Sequence, residues 1–283
     1  MRLKAYAKIN LGLDILGKRE DGYHEIRTVM QTIRMYDVLD LYQKSSPGID
    51  LTTNLPYIPV DGRNLVYKAA KLLMDEFEIK SGLTVRLEKY IPVAAGMAGG
   101  SSDAAATLVG VNKLFDLGLS KKQLMERAVS IGADVPYCVM RGTALAEGIG
   151  EKLTRLTPVP DCLILIGKPA VGVSTKQAYE SLNLEGMVHP DMDGVLAAIE
   201  KGDLYDLVPR LGNVFEPGIR QAHPVIGEIE ALMEENGALK ALMSGSGPTV
   251  FGIFDDPKKL RRAASVLRDS HLARTVFATE VFN

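Results

Sequence analysis

Pro92-Val93-Ala94-Ala95-Gly96-Met97-Ala98-Gly99-Gly100-Ser101-Ser102 joins a stretch of alternating apolar residues, Leu83, Val85 and Leu87, to a helical pattern beginning near Ala104. Such a loop carries almost no side chain. Its backbone N–H groups can approach an anion closely, and the helix N-terminus adds unpaired donors and partial positive charge. That chemistry suits a phosphate. Small residues also permit an ordinary tight turn. No Gly-Lys-Ser/Thr closes the loop, so it is not a Walker A motif, and no G-x-G-x-x-G with a ribose-binding acid marks a dinucleotide site.

Other residues add possible chemistry. Leu3, Ala5, Ala7, Ile9, Leu11 and Leu13 occupy every second position, the period of a half-buried strand, so Lys8 and Asn10 share its opposite face. A lysine there could simply be solvated. Asp134 precedes Val135-Pro136, a pairing that suits a helix N-cap as well as a catalytic carboxylate. Ser101 and Ser102 read as caps of the helix after the loop, with groups available to phosphate or magnesium. Ser244-Gly245-Ser246-Gly247-Pro248 forms another small-residue turn between apolar runs.

The surrounding elements follow from periodicity. A turn at Glu20-Asp21-Gly22 leads through Tyr23-His24 into a β-rich run to Leu41, and Ser45 to Arg63 reads as an irregular connection. Asn64 caps a helix with the stripe Leu65, Ala69, Leu72 and Leu73. Ser120 and Gln123 make a capping-box pattern. Arg141 to Leu156 predicts a hairpin turning near 148–150, and Thr157-Pro158-Val159-Pro160 suggests a domain boundary. Beyond it come a strand at 162–166, helices near 174–182, 192–200 and 224–236, strands near 239–243 and 250–254, a helix over 257–270 and a strand over 275–281. The order is mixed, giving an α+β class with domains 1–157 and 158–283.

Bulk properties narrow the function classes. A chain of 283 residues with net charge −2 and no Lys/Arg block gives no sign of nucleic-acid binding. Only Cys138 and Cys162 are present, so no disulfide framework is implied and a reduced, cytoplasmic setting fits. Neither an apolar leader nor an apolar run of membrane-spanning length stands out. His189, His223 and His271 show no ligand spacing, and no Cys/His cluster suggests a structural metal.

Three segments together, Ala5 to Asp14, Pro92 to Ala105 and Ser244 to Gly252, resemble the three motifs of the GHMP small-molecule kinases. Asp21-Gly22-Tyr23-His24 and Gly132-Ala133-Asp134-Val135-Pro136 narrow the resemblance to the branch acting on 4-diphosphocytidyl-2-C-methyl-D-erythritol. Met97, where Leu is common, is a near-isosteric departure. The resemblance spans nearly the whole chain. It implies ATP-dependent phosphorylation of the substrate's 2-hydroxyl, a step of the non-mevalonate route to isoprenoid precursors. The fold it implies is an N-terminal domain like ribosomal protein S5 domain 2 and a ferredoxin-like C-terminal domain. ATP would bind mainly to the first, with substrate in the cleft between them.

Residue roles follow from the same resemblance. Asp134 would be the catalytic base and Lys8 the amine that pairs with it and stabilises charge on the transferring group. Residues 92–102 would hold the ATP phosphates, with Asn64 and Lys89 near the nucleotide base. Asn10, Tyr23, His24, Thr175 and Tyr179 would bind substrate, the aromatic residues reading the cytosine. Magnesium would arrive bridging the ATP phosphates.

Overall fold

The computed structural model describes residues 1–180, 182 and 186–283. Its first strand, β1 (Arg2–Lys18), departs from the half-buried expectation. Ala7 to Ile15 are buried on both faces, so Lys8, Asn10 and Asp14 are interior polar groups rather than solvated ones. Strand β2 (His24–Lys44) follows the turn at Gly22. Both strands contribute residues to two compact units, one of residues 1–7, 35–93 and 98–141, the other of 8–34, 94–97 and 142–283.

In the first unit the later part of β2 pairs antiparallel with β4 (Gly82–Glu88), Val38 opposite Glu88. β4 in turn pairs parallel with β3 (Ile49–Thr53), which lies inside the stretch expected to be irregular. Its alternation is only five residues long and is flanked by turn residues, too short a period to register. Helix α1 (Leu65–Glu76) begins where expected, Asn64 accepting from the Val66 N–H. Helix α2 (Gly99–Leu114) follows the small-residue loop. A Cβ on its Gly110 would meet Leu3 and Leu41 methyl groups at 2.6 Å, so glycine here lets α2 lie close to these two side chains. α3 (Lys121–Ala128) carries the expected capping box, and α4 (Val135–Met140) starts after Asp134.

In the second unit the early part of β2 pairs with β5 (Thr143–Gly148), which forms the expected hairpin with β6 (Lys152–Arg155). Then come β7 (Leu163–Lys168), α5 (Thr175–Glu180), α6 (Met192–Lys201), α7 (Leu204–Leu207), β8 (Gly212–Asn213), α8 (Glu216–Ala222) and α9 (Val225–Glu235). β9 (Lys240–Met243), β10 (Val250–Phe254), α10 (Pro257–Asp269) and β11 (Thr275–Glu280) complete it. The expected helix over 174–182 is described through Glu180; Ser181 lies outside the described residues.

β7, β9, β10 and β11 form a four-stranded antiparallel sheet ordered β11-β7-β10-β9. Taken with α9 and α10 this is the β-α-β-β-α-β ferredoxin-like arrangement that the family resemblance implies. Ile229, Met233, Leu260 and Leu267 from the helices bury against Leu165 and Phe254 of the sheet. β8 pairs parallel with β1, Leu13 opposite Asn213. The elements α7, β8 and α8 are too short for periodicity to announce them. Cys138 and Cys162 are buried thiols. No helix among the described residues is long and apolar enough to cross a membrane.

Candidate active site

The small-residue loop contributes to both units. In the first, Pro92 is half-buried and Val93 exposed, and Ala98 turns into α2 in the left-handed region at φ 53°. No side chain caps α2. The serines therefore do not cap it, contrary to the expectation. The helix already begins at Gly99, which puts them inside its first turns. Ser102 is buried, its hydroxyl donating to the Tyr6 carbonyl at 2.6 Å and lying 3.3 Å from the Cys138 thiol. The Ser102 N–H bonds the Ala98 carbonyl. The N–H groups of Gly99, Gly100 and Ser101 precede the first intrahelical bond and lack acceptors in the helix. Two of these three residues have no side chain, so an anion can reach the donors directly.

The second unit holds Ala94, Ala95, Gly96 and Met97. Ala94 and Gly96 have φ of 49° and 72°. Left-handed backbone at an alanine costs about 1–2 kcal/mol, and such conformations concentrate where geometry serves function. A Cβ at Gly96 would run into the Ser244 carbonyl, so this glycine is required twice over. The Gly96 carbonyl accepts from Lys8 Nζ at 3.1 Å and from Ser244 Oγ at 3.0 Å. The Lys8 N–H donates to the Met97 carbonyl.

Lys8 is only 5 % exposed. Its ammonium donates to Asn10 Oδ1 at 2.6 Å and to Gly96, which uses two of three N–H donors. Asn10 in turn donates to Thr28 Oγ1, and Thr28 donates to the Gly12 carbonyl at 2.6 Å. Thr28 holds the Asn10 amide so that its oxygen faces the lysine. Its position on β2 gave no sequence signal.

Asp134 sits in the first unit at the start of α4, half-buried, with α-helical backbone. It occupies the cap position but makes no capping bond. Pro136 supplies one residue with no N–H to cap. Among the described residues its carboxylate has no hydrogen-bond or ion-pair partner.

Asn64 and Lys89 have committed side chains. Asn64 caps α1 and donates to the Pro59 carbonyl at 2.7 Å. Lys89 is buried between Asp103, at 2.7 Å, and Asp37. Asp37 also accepts from the N–H groups of Tyr90 and Ile91. Burial opposes the lysine charge, but the two carboxylates outweigh it and hold its pKa above the usual lysine value. Burial drives Asp103 up to about 8 against the pull of the Lys89 ammonium, with the Asp37 charge adding to the rise. This buried triad fastens the start of α2 to β2 and to residues 89–91, which follow β4. Sequence reasoning missed Asp37 and Asp103 because their partners lie far away along the chain.

The expected substrate residues Tyr23, His24, Thr175 and Tyr179 all belong to the second unit. The His24 and Tyr179 rings lie 5.0 Å apart at 34°, and Phe215 meets Tyr179 edge-on at 4.8 Å. Phe215 was not anticipated. Tyr23 is 61 % exposed, its N–H held by Asp21. Thr175 is exposed and shares a 3.0 Å hydrogen bond with Ser246 Oγ. The aromatic groups thus offer a stacking surface, with polar atoms from the Ser244–Gly247 turn beside Thr175.

Models of the GHMP kinase N-terminal and C-terminal domains match residues 64–142 and 195–272. A curated 4-diphosphocytidyl-2-C-methyl-D-erythritol kinase from Lachnospira eligens is 53 % identical, covering 100 % of this chain and 98 % of its own. The chain belongs to the GHMP kinase family. A 4-diphosphocytidyl-2-C-methyl-D-erythritol kinase from Lachnoclostridium phytofermentans is 52 % identical over 99 % of this chain and 97 % of its own. A crystal structure of 4-(cytidine 5'-diphospho)-2C-methyl-D-erythritol kinase superposes with a TM-score of 0.84, at 34 % identity and 100 % coverage of both chains. The ferredoxin-like sheet and the helix-terminal loop described above are therefore those of a GHMP kinase, an ATP-dependent phosphotransferase acting on an alcohol.

Proposed function

We propose that this GHMP kinase transfers the γ-phosphoryl group of ATP to the 2-hydroxyl of 4-diphosphocytidyl-2-C-methyl-D-erythritol, in the non-mevalonate route to isoprenoid precursors. The observation that carries the site chemistry is the buried Lys8 ammonium, held by Asn10 and the loop carbonyl of Gly96 with one donor unspent. The names of relatives about half identical over the whole chain support the substrate.

In this reading the uncapped start of α2 and the loop 92–102 hold the ATP phosphates through backbone N–H groups. Lys8 aims its remaining N–H at the transferring group and offsets charge that builds there. Asp134, whose carboxylate is not spent on capping, accepts the proton of the 2-hydroxyl as the new O–P bond forms and the bond to ADP breaks. A carboxylate suffices because the transition state is loose and the proton leaves late. Asn10 orients the acceptor. Tyr23, His24 and Tyr179 receive the cytosine, with Thr175 as a hydrogen-bonding neighbour. Asn64 and Lys89 shape the surroundings of the nucleotide base through backbone, since their side chains are committed.

No group of three His, Cys, Asp or Glu among the described residues forms a metal cage. Magnesium would arrive with ATP and would shield the charge of its phosphates when bound. The enzyme works in the cytoplasm on a small molecule, with nucleotide handled mainly by residues 1–157 and acceptor binding completed by 158–283.

The test offers Mg-ATP with the cytidyl substrate, homoserine or mevalonate and follows ADP release. Release with the cytidyl compound alone supports the proposal. Release with either other alcohol transfers the chain to another branch of the family, and ATP binding without any release marks a non-catalytic regulator.

A further inference from the structure

Asn213 lies in the two-residue strand β8, beside Leu13 of β1, and is 7 % exposed. Its side chain spends its polar atoms in two directions. Nδ2 donates to the carbonyls of Met243 and Gly245 at 2.7 and 2.8 Å. Oδ1 accepts from the Phe215 N–H at 3.0 Å. Two donors and an acceptor at that reach require a primary amide; aspartate lacks the donors and glutamine is one methylene too long.

The first direction leads to the amine. Gly245, at φ 59°, faces Gly96 and Asn10 so closely that a Cβ would lie 3.1 Å from the Gly96 carbonyl oxygen and 3.3 Å from Asn10 Oδ1. The neighbouring Ser244 hydroxyl donates to that same Gly96 oxygen, which also receives Lys8 Nζ. Wherever the Ser244–Gly245 turn stands, the acceptor that aims Lys8 stands with it. The second direction leads to the aromatic group. Phe215 supports Tyr179 edge-on, and Tyr179 faces His24.

We propose that Asn213 is a positioning residue that sets the Lys8 ammonium, through the Ser244–Gly245 turn and Gly96, in register with the aromatic surface built on Phe215. The inference rests on the reading of Lys8 and of the His24–Tyr179 pair given under the proposed function. It adds a residue that touches neither reactant and whose amide fixes both ends of the acceptor site.

The experiment compares Asn213→Asp, which keeps the acceptor toward Phe215 but replaces both donors, with Phe215→Leu, which keeps the amide bonds and removes the ring. Turnover is expressed per folded molecule, the folded fraction being taken from circular dichroism. Asn213→Asp is expected to lower kcat on the order of 100-fold, the scale of a small misplacement of a reacting group, with KM for the cytidyl substrate changed less than about threefold. Phe215→Leu is expected to raise that KM up to about tenfold with little change in kcat. Asn213→Ser, which is neutral and small, covers the case in which a buried carboxylate prevents folding, and the same kcat loss is expected. A folded Asn213 variant with kcat within about threefold of wild type overturns the proposal, since a purely structural asparagine would alter only the folded fraction. Wild-type enzyme in the same assay separates the two readings: if it releases no ADP with the cytidyl substrate, the functional reading fails whatever the variants do.

Discussion

Gly96→Ala concentrates the demands of the site on one methyl group. The backbone there sits at φ 72°, which costs an alanine about 1–2 kcal/mol. The new Cβ would also overlap the Ser244 carbonyl, which belongs to a turn and cannot yield as a side-chain end would. Relief requires the two loops to part. That breaks the Ser244 bond to the Gly96 oxygen, worth about 1 kcal/mol, and the charged Lys8 bond to it, worth about 2 kcal/mol. The sum, about 4–5 kcal/mol, is a large share of the 5–15 kcal/mol that holds a typical domain together. Urea unfolding followed by circular dichroism measures it, tryptophan being absent from the chain. Turnover of the folded fraction should drop at least about 100-fold because Lys8 loses its aim. Gly17→Ala is the control: its Cβ would meet nothing within 4 Å, and it should change stability by less than about 1 kcal/mol. A Gly96→Ala enzyme within about 1 kcal/mol of wild type, with unchanged kcat, would refute the reasoning.

Lys89→Met leaves the buried Asp37 carboxylate without its counter-charge and Asp103 without its hydrogen-bond donor, and a loss of about 3–5 kcal/mol in urea unfolding is expected. Asp103 holds its proton up to about pH 8 in the folded chain but only to about pH 4 when unfolded, so the native state binds the extra proton between them. Its contribution is complete below about pH 4 and is lost as pH rises toward 8; Asp103→Asn should flatten that slope in urea titrations at pH 5 to 8. Glu230 behaves in the same direction, pushed up to about 8 by burial and then by the Glu216 charge, and Glu230→Gln should remove a second part of the slope. An unaltered slope in both variants would contradict the protonation described.

The elements legible in the sequence were those with long periods or explicit punctuation. Asn64 and Ser120 announce helix starts by type and spacing, and the strands at 240–243 and 250–254 stand out because Gly and Ser interrupt them. The alternation of β1 was visible, but alternation reports only that one face is apolar. It could not tell that Lys8 and Asn10 would be buried, because their partners include residues 28 and 96, remote along the chain. The same limit hid Thr28, Phe215, Asn213 and the Asp37–Lys89–Asp103 triad. Ser102 misled for a local reason: hydroxyls near a helix start suggest caps, yet a helix opened by Gly99 and Gly100 places them within the helix. Asp134 had the opposite fate, a residue of capping type at a capping position that leaves its carboxylate uncommitted.

Asp134→Asn keeps the size and shape of the side chain while removing its charge and basicity. Single-turnover phosphoryl transfer to the cytidyl substrate, measured beside ATP affinity, should slow at least about 100-fold with ATP binding held within about threefold. Transfer at the wild-type rate, or equal losses in transfer and ATP binding, would contradict the assignment of the acceptor's proton to this carboxylate.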